Sequence, residues 1–280
     1  MTNQTNTANV RETEPGRLWV NSRFEEVLRE AGLLSFEALY SARKATLTKD
    51  KPQKLRTNFM LKLDTDDGEH VFYLKRHRPM SMLRALLCRL VGRSRVSPGR
   101  TEWENIFLLN ELDIPTMTPV ALGDDRQAGR SFTLTEALPN ARPLDVYVGE
   151  VDADTRRALA RQLGELVGRL HAARLTHRDL YLSHVFAVTD KDKTTTLHLI
   201  DLQRVGPRTR RLRRWCIKDI AQLEYSRPIG VTTRTDLLRF LYAYFGCDRL
   251  GPVEKSFVRR VSRKVRRIAG HDRKLKSPKR

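Results

Sequence analysis

The sequence has little cysteine and no cysteine spacing typical of a metal site. Its three cysteines, Cys88, Cys216 and Cys247, are far apart in a chain of 280 residues. No C-x-x-C pair or Cys/His cluster with zinc-ligand spacing is present, which excludes a zinc finger. Because an odd number of scattered cysteines does not suit a disulfide framework, we expect a protein of the reducing cytoplasm.

Long apolar segments are also missing. No run approaches the ~18 consecutive apolar residues of a membrane-spanning helix. The polar segment Met1–Gly16 lacks the apolar region of a signal peptide, so we expect neither a membrane span nor secretion. Glycine is absent between Gly32 and Gly68, which excludes a G-x-G-x-x-G phosphate-binding loop in that stretch.

Acidic residues are too few to balance the basic ones, and the formal net charge is +20. Such an excess is typical of proteins that bind nucleic acid, an anionic membrane surface or a polyanionic substrate. Residues 254–280 contribute +10 (12 Lys/Arg minus 2 Asp/Glu) and residues 80–100 contribute +5, so these segments carry 15 of the 20 charges. Since the sequence has no nucleic-acid recognition motif, we expect no nucleic-acid partner.

Both basic segments have amphipathic patterns that allow two interpretations. In residues 80–100, leucines form an apolar stripe with arginines beside it. This pattern fits either a helix on an anionic membrane or a helix packed on the domain. In residues 254–280, apolar residues from Val258 to Ile268 are spaced by three and four residues. That tail either docks as a basic helix on anionic lipid headgroups or is a disordered, solubilising extension.

The first half of the chain has the pattern of a small β-rich unit. Residues 1–17 are polar and aperiodic, and we expect them to be disordered. Farther on, two alternating runs flank the turn Asp66-Asp67-Gly68, which is a hairpin signal. The second of these runs ends at Lys75.

A helix that carries two acidic residues in its first turn is predicted to begin at Thr101. Glu102 has apolar residues four and seven positions later, so it shares the apolar face of this helix. We therefore prefer Glu102 as the ion-pair partner of Lys75, with Glu104 as the second candidate. Prolines then end the segment.

The second half contains a long helix followed by a loop of charged residues. The strand ending at Glu136 leads into a predicted hinge, and a helix capped by aspartate is predicted from Thr155 to Arg174. The triplet His177-Arg178-Asp179 follows this helix, and a later strand ends at Asp201. An Asp-containing loop followed by a strand-terminal aspartate is typical of phosphoryl-transfer enzymes.

The ordered set Lys75, Glu102, Asp179 and Asp201 resembles that of the protein-kinase-like superfamily. Within it, the chain resembles most the bacterial lipopolysaccharide core (Kdo/heptose) kinases. The matching motifs are His177-Arg178-Asp179-x-Tyr181-x-x-His184, Ile200-Asp201-Leu202-x-Arg204 and Arg213-Arg214-Trp215-x-x-Lys218-Asp219.

The resemblance covers roughly residues 18–246 and implies an α+β, bilobal protein-kinase-like fold. A small β-rich N-lobe would span residues 18–138, including the basic insert at 80–100. A mainly helical C-lobe would span residues 139–253, and a basic tail would follow at 254–280.

Cofactor roles also follow from the resemblance, which implies ATP and Mg²⁺. Lys75 would bind the α- and β-phosphates and be held by Glu102, while Glu136 and Leu138 would hold the adenine ring. Asp201 and His184 would lie at the metal, and imidazole is a poorer Mg²⁺ ligand than oxygen.

Asp179 would accept the proton of the acceptor hydroxyl or orient it. His177 and Arg178 would brace the loop, with Asp219 bracing it from the next helix.

The implied substrate is a heptose or Kdo hydroxyl of the lipopolysaccharide inner core, or a similar anionic lipid-linked glycan. The protein would act as a peripheral protein at the inner face of the cytoplasmic membrane. Residues 204–218 contain seven basic residues and no acid, and would either face this acceptor or form a solvated loop.

Besides the missing glycine-rich loop, two departures separate the chain from typical protein kinases. No A-P-E element follows Asp201, and Tyr181 stands where many protein kinases have lysine. The alternatives are a kinase for another small molecule or for protein, or a catalytically inactive kinase-fold module that binds at a membrane.

Overall fold

Strands and helices separate along the chain into two units. The computed structural model describes residues 9–42, 45–51, 55–65, 68–79, 96–207 and 211–276. The first unit comprises Met1–Glu111 and Met117–Leu138, and the second comprises Leu112–Thr116 and Pro139–Arg280. The first is rich in β-structure and the second is mainly helical, which confirms the predicted fold class.

A seven-stranded antiparallel sheet is the main element of the first unit. Its strands are β1 (Val10–Glu14), β2 (Leu18–Asn21), β3 (Thr46–Lys51), β4 (Arg56–Thr65), β5 (Gly68–His77), β6 (Pro119–Asp125) and β7 (Arg130–Glu136). Their order across the sheet is β1-β2-β6-β7-β5-β4-β3. The predicted hairpin is present, since β4 and β5 pair from Arg56 opposite His77 to Thr65 opposite Gly68.

Strand β1 corrects the expectation that residues 1–17 are disordered. Val10–Glu14 lies at the edge of the sheet and pairs only with β2. Its side chains are exposed or half-buried, so the strand needs no alternating apolar pattern and gives no strand signal in the sequence. Residues 1–8 lie outside the described part of the chain.

The described part of the first unit is completed by the short 3₁₀ helix Ser22–Phe24 and by three α-helices: α1 (Glu25–Glu30), α2 (Phe36–Tyr40) and α3 (Pro98–Glu111). A hydrophobic core of this unit includes the buried rings of Phe24, Phe36, Phe72 and Phe132. A Cβ atom at Gly123 on β6 would lie 2.1 Å from the Phe132 ring, so only glycine fits there. The prediction for residues 80–100 falls mostly on residues 80–95, which lie outside the described residues.

The second unit is built mainly from helices. Its strands are β8 (Ala141–Pro143), β9 (Leu175–Thr176), β10 (Val185–Thr189), β11 (Thr195–Leu199) and β12 (Gly206–Pro207). Its helices are α4 (Leu144–Tyr147), α5 (Ala153–Ala172), α6 (Leu212–Tyr225), α7 (Arg234–Phe245) and α8 (Pro252–Lys276). Short 3₁₀ helices lie at Leu182–His184 and Leu202–Arg204.

Helix α5 begins at Ala153, two residues before the predicted start at Thr155, and directs the chain into the charged loop. Asp152 caps it by accepting a hydrogen bond from the Thr155 amide at 2.7 Å. A Cβ atom at Gly164 would lie 2.4 Å from the Phe240 carbonyl oxygen on α7. Glycine at this position therefore lets the backbones of α5 and α7 approach closely.

Helix α8 shows that the disordered alternative for the basic tail is wrong over residues 252–276. Phe257 and Val261 are each 6% exposed, and α8 packs on α6. The apolar stripe of the tail therefore contacts the protein, while Arg259, Arg263 and Arg266 are exposed. None of the helices within the described ranges is long and apolar enough to cross a bilayer.

Candidate active site

Lys75 and Glu102 form a buried ion pair in the first unit. Lys75 lies on β5 and Glu102 in the first half of α3, with Nζ 2.5 Å from Oε1. The side chains are 13% and 1% exposed, respectively. Glu104, the second candidate, is exposed. Glu102 occupies the inward position because it shares a helix face with the buried Ile106 and Leu109.

Glu136 and Leu138 lie at the end of the first unit. The amide of Glu136 donates to the Thr118 carbonyl at 3.0 Å, and the Glu136 carboxylate lies 3.6 Å from a guanidinium nitrogen of Arg23. The amide of Ala137 donates to the Val71 carbonyl at 2.9 Å. These bonds fix the backbone of the predicted adenine-binding segment, and both predicted residues are half-buried.

In the second unit, a two-stranded ribbon brings the two predicted catalytic segments together. β9 pairs with β12, so Thr176 lies opposite Gly206 and Leu175 opposite Pro207. The loop that leaves β9 at His177 therefore lies beside the end of the segment that runs from Asp201 into β12.

Asp179, His184 and Asp201 converge in the second unit. Each offers one possible ligand atom, and these atoms all lie within 4.8 Å of one another. His184 Nε2 lies 3.9 Å from Asp201 Oδ2. The backbone of Asp201 adopts a left-handed conformation (φ 60°), which turns the chain sharply after β11. The sequence placed Asp201 and His184 at a metal, and the structure adds the carboxylate of Asp179 to that cluster.

The imidazole of His184 is oriented by the backbone of Asp179. His184 Nδ1 lies 2.8 Å from the Asp179 carbonyl oxygen, so Nδ1–H donates this bond. The lone pair of Nε2 is then directed away from that bond and is available to a cation. Asp179 therefore fixes the tautomer of His184 through its main-chain carbonyl and also supplies a carboxylate to the cluster.

Asp219 braces the loop, as the resemblance implied. Its carboxylate is fully buried and accepts hydrogen bonds from the amides of His177 and Arg178, both at 2.8 Å. Arg178 has a positive φ of 65°, an unfavourable conformation for a residue with a β-carbon. The bonds to Asp219 and a bond from Lys218 Nζ to the Arg178 carbonyl hold it there.

His177 and Arg178 link the loop to the segment after Asp201. His177 Nε2 donates to the Ile200 carbonyl at 3.0 Å, and Arg178 Nε donates to the Arg204 carbonyl. Burial lowers the pKa of His177, which keeps its imidazole neutral at neutral pH. A neutral, fully buried imidazole is suited to holding the loop in place and not to transferring a proton to a substrate.

Arg204 is the neighbour of Asp179 that sequence reasoning did not single out. Its Nη1 lies 4.0 Å from Asp179 Oδ1, and its side chain is 53% exposed. The motif Asp201-Leu202-x-Arg204 contained the signal, but the contact depends on the short 3₁₀ helix Leu202–Arg204. His171 is a second missed residue; its position on the buried face of α5 was the available signal.

Comparisons with known proteins find sequences that are similar to this one, and they belong to one family. The model of the lipopolysaccharide kinase (Kdo/WaaP) family matches residues 52–244. The lipopolysaccharide core heptose(I) kinase WaaP of Pseudomonas aeruginosa is 34% identical over 195 residues, covering 65% of this chain and 72% of that protein. The protein of the same name from Escherichia coli K12 is 28% identical over 211 residues, covering 70% and 79%.

A solved structure described as WaaP in complex with acyl carrier protein is also similar. Its TM-score with this chain is 0.66 at 28% sequence identity, and the match covers 90% of this chain and 98% of that one. The matched family range contains all of the predicted catalytic, nucleotide and metal residues.

Proposed function

The chain belongs to the lipopolysaccharide kinase (Kdo/WaaP) family, and we propose from this membership that it is an ATP-dependent kinase for a heptose hydroxyl of the lipopolysaccharide inner core. The convergence of Asp179, His184 and Asp201 carries the proposal. The comparisons do not favour the alternatives of another substrate class or an inactive binding module.

The residues of the second unit suit in-line transfer to an alcohol. Asp179 would accept the proton of the heptose hydroxyl as its oxygen attacks the γ-phosphorus of ATP and the bond to ADP breaks. Asp219 fixes the amides next to Asp179 and thereby the position of the base. The guanidinium of Arg204 lies 4.0 Å from the Asp179 carboxylate and would bind the anionic acceptor there.

The residues of the first unit suit nucleotide binding. Lys75 would neutralise the α- and β-phosphates, and Glu102 holds its ammonium group by a charge-assisted hydrogen bond. Glu136 and Leu138 would contact the adenine ring from a segment whose backbone is fixed by neighbouring strands.

The donor set at Asp201 fits a divalent cation, and we propose Mg²⁺. Two carboxylates are ligands that Mg²⁺ prefers, whereas the imidazole of His184 is a weaker one. Asp201 would be the main ligand, and His184 would contact the ion through the lone pair of Nε2. A bound Mg²⁺ supplies charge neutralisation at the ATP phosphates.

Transfer of phosphate to defined lipopolysaccharide tests the proposal. The purified chain is incubated with MgATP and with inner-core lipopolysaccharide that lacks heptose phosphate, and the glycan is then analysed by tandem mass spectrometry. We expect one added phosphate on a heptose, no transfer in EDTA, and a higher Mg²⁺ requirement for Asp201→Asn. Phosphate on Kdo would change the sugar assignment, and no transfer to any sugar would refute the kinase proposal.

We propose that the exposed face of α8 binds the anionic surface of the membrane. Among the side chains of α8 that the structure describes, eight basic ones are exposed: Lys255, Arg259, Arg260, Arg263, Arg266, Arg267, Arg273 and Lys274. Since Phe257 and Val261 are buried, lipid binding would be electrostatic and without insertion of this apolar stripe. Each basic residue near such a surface contributes about 1 kcal/mol.

Charge reversal of Arg259, Arg263 and Arg266 to glutamate is expected to weaken binding to phosphatidylglycerol vesicles by at least about 100-fold. Vesicle co-sedimentation at low and high salt measures this effect. The matched control reverses Arg157, Arg161 and Arg169, which are exposed on α5 and change the net charge equally. Equal losses in both variants, or binding to pure phosphatidylcholine, would show that α8 is not the contact surface.

We also propose an acyl carrier protein as a partner, on the basis of the similar WaaP complex. The second unit has a cavity whose lining is mainly apolar, including Leu144, Leu159, Leu163, Leu223 and Phe240, and charged side chains also line it; the apolar part suits an acyl chain. Calorimetric titration should therefore detect binding of the acylated carrier protein and at least about tenfold weaker binding of the unacylated one. Equal affinity for both forms would refute a role for this cavity.

A further inference from the structure

A chain of hydrogen bonds leads from the catalytic loop to the end of α7. Asp219 on α6 accepts from the His177 amide at 2.8 Å, and its Oδ2 lies 3.4 Å from His171 Nε2. His171 Nδ1 lies 2.9 Å from the hydroxyl of Tyr244. The side chain of His171 is 5% exposed and that of Asp219 is fully buried. Three helices, α5, α6 and α7, each contribute one member of this chain.

The directions of these hydrogen bonds follow from the groups involved. The carboxylate of Asp219 only accepts, so Nε2 of His171 carries the proton in their hydrogen bond. In the neutral imidazole, Nδ1 is then an acceptor, and the Tyr244 hydroxyl donates to it. Burial raises the pKa of Tyr244, which keeps its hydroxyl protonated. Burial also raises the pKa of the neighbouring Cys216 thiol to about 11, so this neighbour is uncharged.

The ring of Tyr244 is fixed by aromatic neighbours. It stacks on Phe240 with 6.0 Å between centroids and meets Phe245 edge-on at 4.8 Å. Phe257 on α8 lies 6.0 Å away. These ring contacts hold the hydroxyl of Tyr244 next to His171. A phenylalanine at position 244 would keep the same ring contacts.

We propose that Tyr244 is a positioning residue for the catalytic loop, acting through the tautomer of His171. Its hydroxyl holds the imidazole with the proton on Nε2, and this proton fixes the rotamer of Asp219. Asp219 in turn holds the amides of His177 and Arg178, which adjoin Asp179. The catalytic part of this inference rests on the proposed kinase function; the loop-holding part does not.

Removal of the hydroxyl in Tyr244→Phe tests the proposal. We expect kcat to fall roughly tenfold, a typical loss when a hydrogen bond that orients a functional residue is removed. The KM for ATP should change by less than about twofold. Amide hydrogen exchange at His177 and Arg178 should become faster. In ¹⁵N spectra, His171 should show an accepting Nδ1 in the wild type, and this signal should shift toward that of an unbonded nitrogen in the variant.

Tyr225→Phe is the matched control. Tyr225 also lies in the second unit and donates a hydrogen bond from its hydroxyl, to Asp272 on α8 at 2.7 Å. This variant should lose comparable stability without a change in kcat or in exchange at positions 177 and 178. Equal effects of the two substitutions on kcat and exchange would reduce Tyr244 to a structural role and overturn the proposal.

A double-mutant cycle tests whether Tyr244 acts through His171. His171→Phe removes both ring nitrogens and keeps an aromatic side chain. In that background, Tyr244→Phe should change kcat and loop exchange by less than about twofold, since the route to Asp219 is already broken. Additive effects, or a protonated Nδ1 in the wild-type spectrum, would overturn the proposal. Because exchange and tautomer are read without turnover, a failure of the kinase proposal would be distinguishable.

Discussion

The Asp179→Asn substitution is expected to lower kcat for phosphoryl transfer by roughly 10²–10⁴-fold, the usual contribution of a positioned general base. The amide of asparagine has nearly the same shape as the carboxylate but does not accept the hydroxyl proton. The loop should keep its conformation, because the amides of His177 and Arg178 and the main-chain oxygen of Asp179 remain bonded. Steady-state kinetics with saturating MgATP and acceptor measures the effect.

Asp179 also belongs to the candidate metal cluster, so a loss of activity has two explanations that the Mg²⁺ dependence separates. If the carboxylate acts as the base, raising Mg²⁺ should not restore kcat in the variant. Recovery at high Mg²⁺ would identify Asp179 as a metal ligand instead. Asp190→Asn is the matched control, since Asp190 is exposed in the turn between β10 and β11. A kcat for Asp179→Asn equal to that of this control would remove Asp179 from the mechanism.

Local periodicity was sufficient to predict parts of the site that lie on one element. Glu102 was preferred over Glu104 because apolar residues follow it at +4 and +7, and the structure buries the first and exposes the second. The hairpin that carries Lys75 followed from the Asp-Gly turn and the alternation around it. These features depend on a few consecutive residues, which is why their sequence carries the information.

Contacts between distant elements were not predictable in the same way. Arg204 lies near Asp179 through the 3₁₀ helix Leu202–Arg204 and the pairing of β9 with β12, and elements of two or three residues leave almost no pattern in a sequence. The contact of His171 with Tyr244 joins positions 73 residues apart. For α8, the apolar spacing allowed a lipid-docked helix or a disordered tail and gave no sign that α6 covers the apolar stripe. A sequence pattern shows which face of a helix is apolar, but it does not show which surface packs against that face.

Removal of the Glu102 carboxylate is expected to be the most destabilising of the substitutions considered. Glu102→Ala removes the carboxylate that lies 2.5 Å from the ammonium group of Lys75, whose side chain is 13% exposed. Breaking one side of a buried ion pair costs about 3–5 kcal/mol, because the remaining charge stays partly desolvated. We expect the free energy of unfolding to fall by that amount, measured by urea denaturation followed by circular dichroism.

Glu104→Ala is a control two residues away on the same helix. Glu104 is exposed, and an exposed substitution changes stability by less than about 0.5 kcal/mol. A comparable loss in both variants would mean that α3 itself, and not the ion pair, determines the effect.

Replacing both partners separates stability from nucleotide binding. The double substitution Lys75→Met with Glu102→Leu removes both charges and keeps the side-chain volume, and such replacements are often neutral or stabilising. It should therefore recover most of the roughly 3–5 kcal/mol lost in Glu102→Ala, yet bind ATP no better, since the ammonium group that would neutralise the phosphates is gone. If the double variant regained both stability and ATP affinity, Lys75 would not be the phosphate ligand. If the double variant regained neither stability nor ATP affinity, the ion pair would be needed for the conformation of the first unit and not only for the contact between these two side chains.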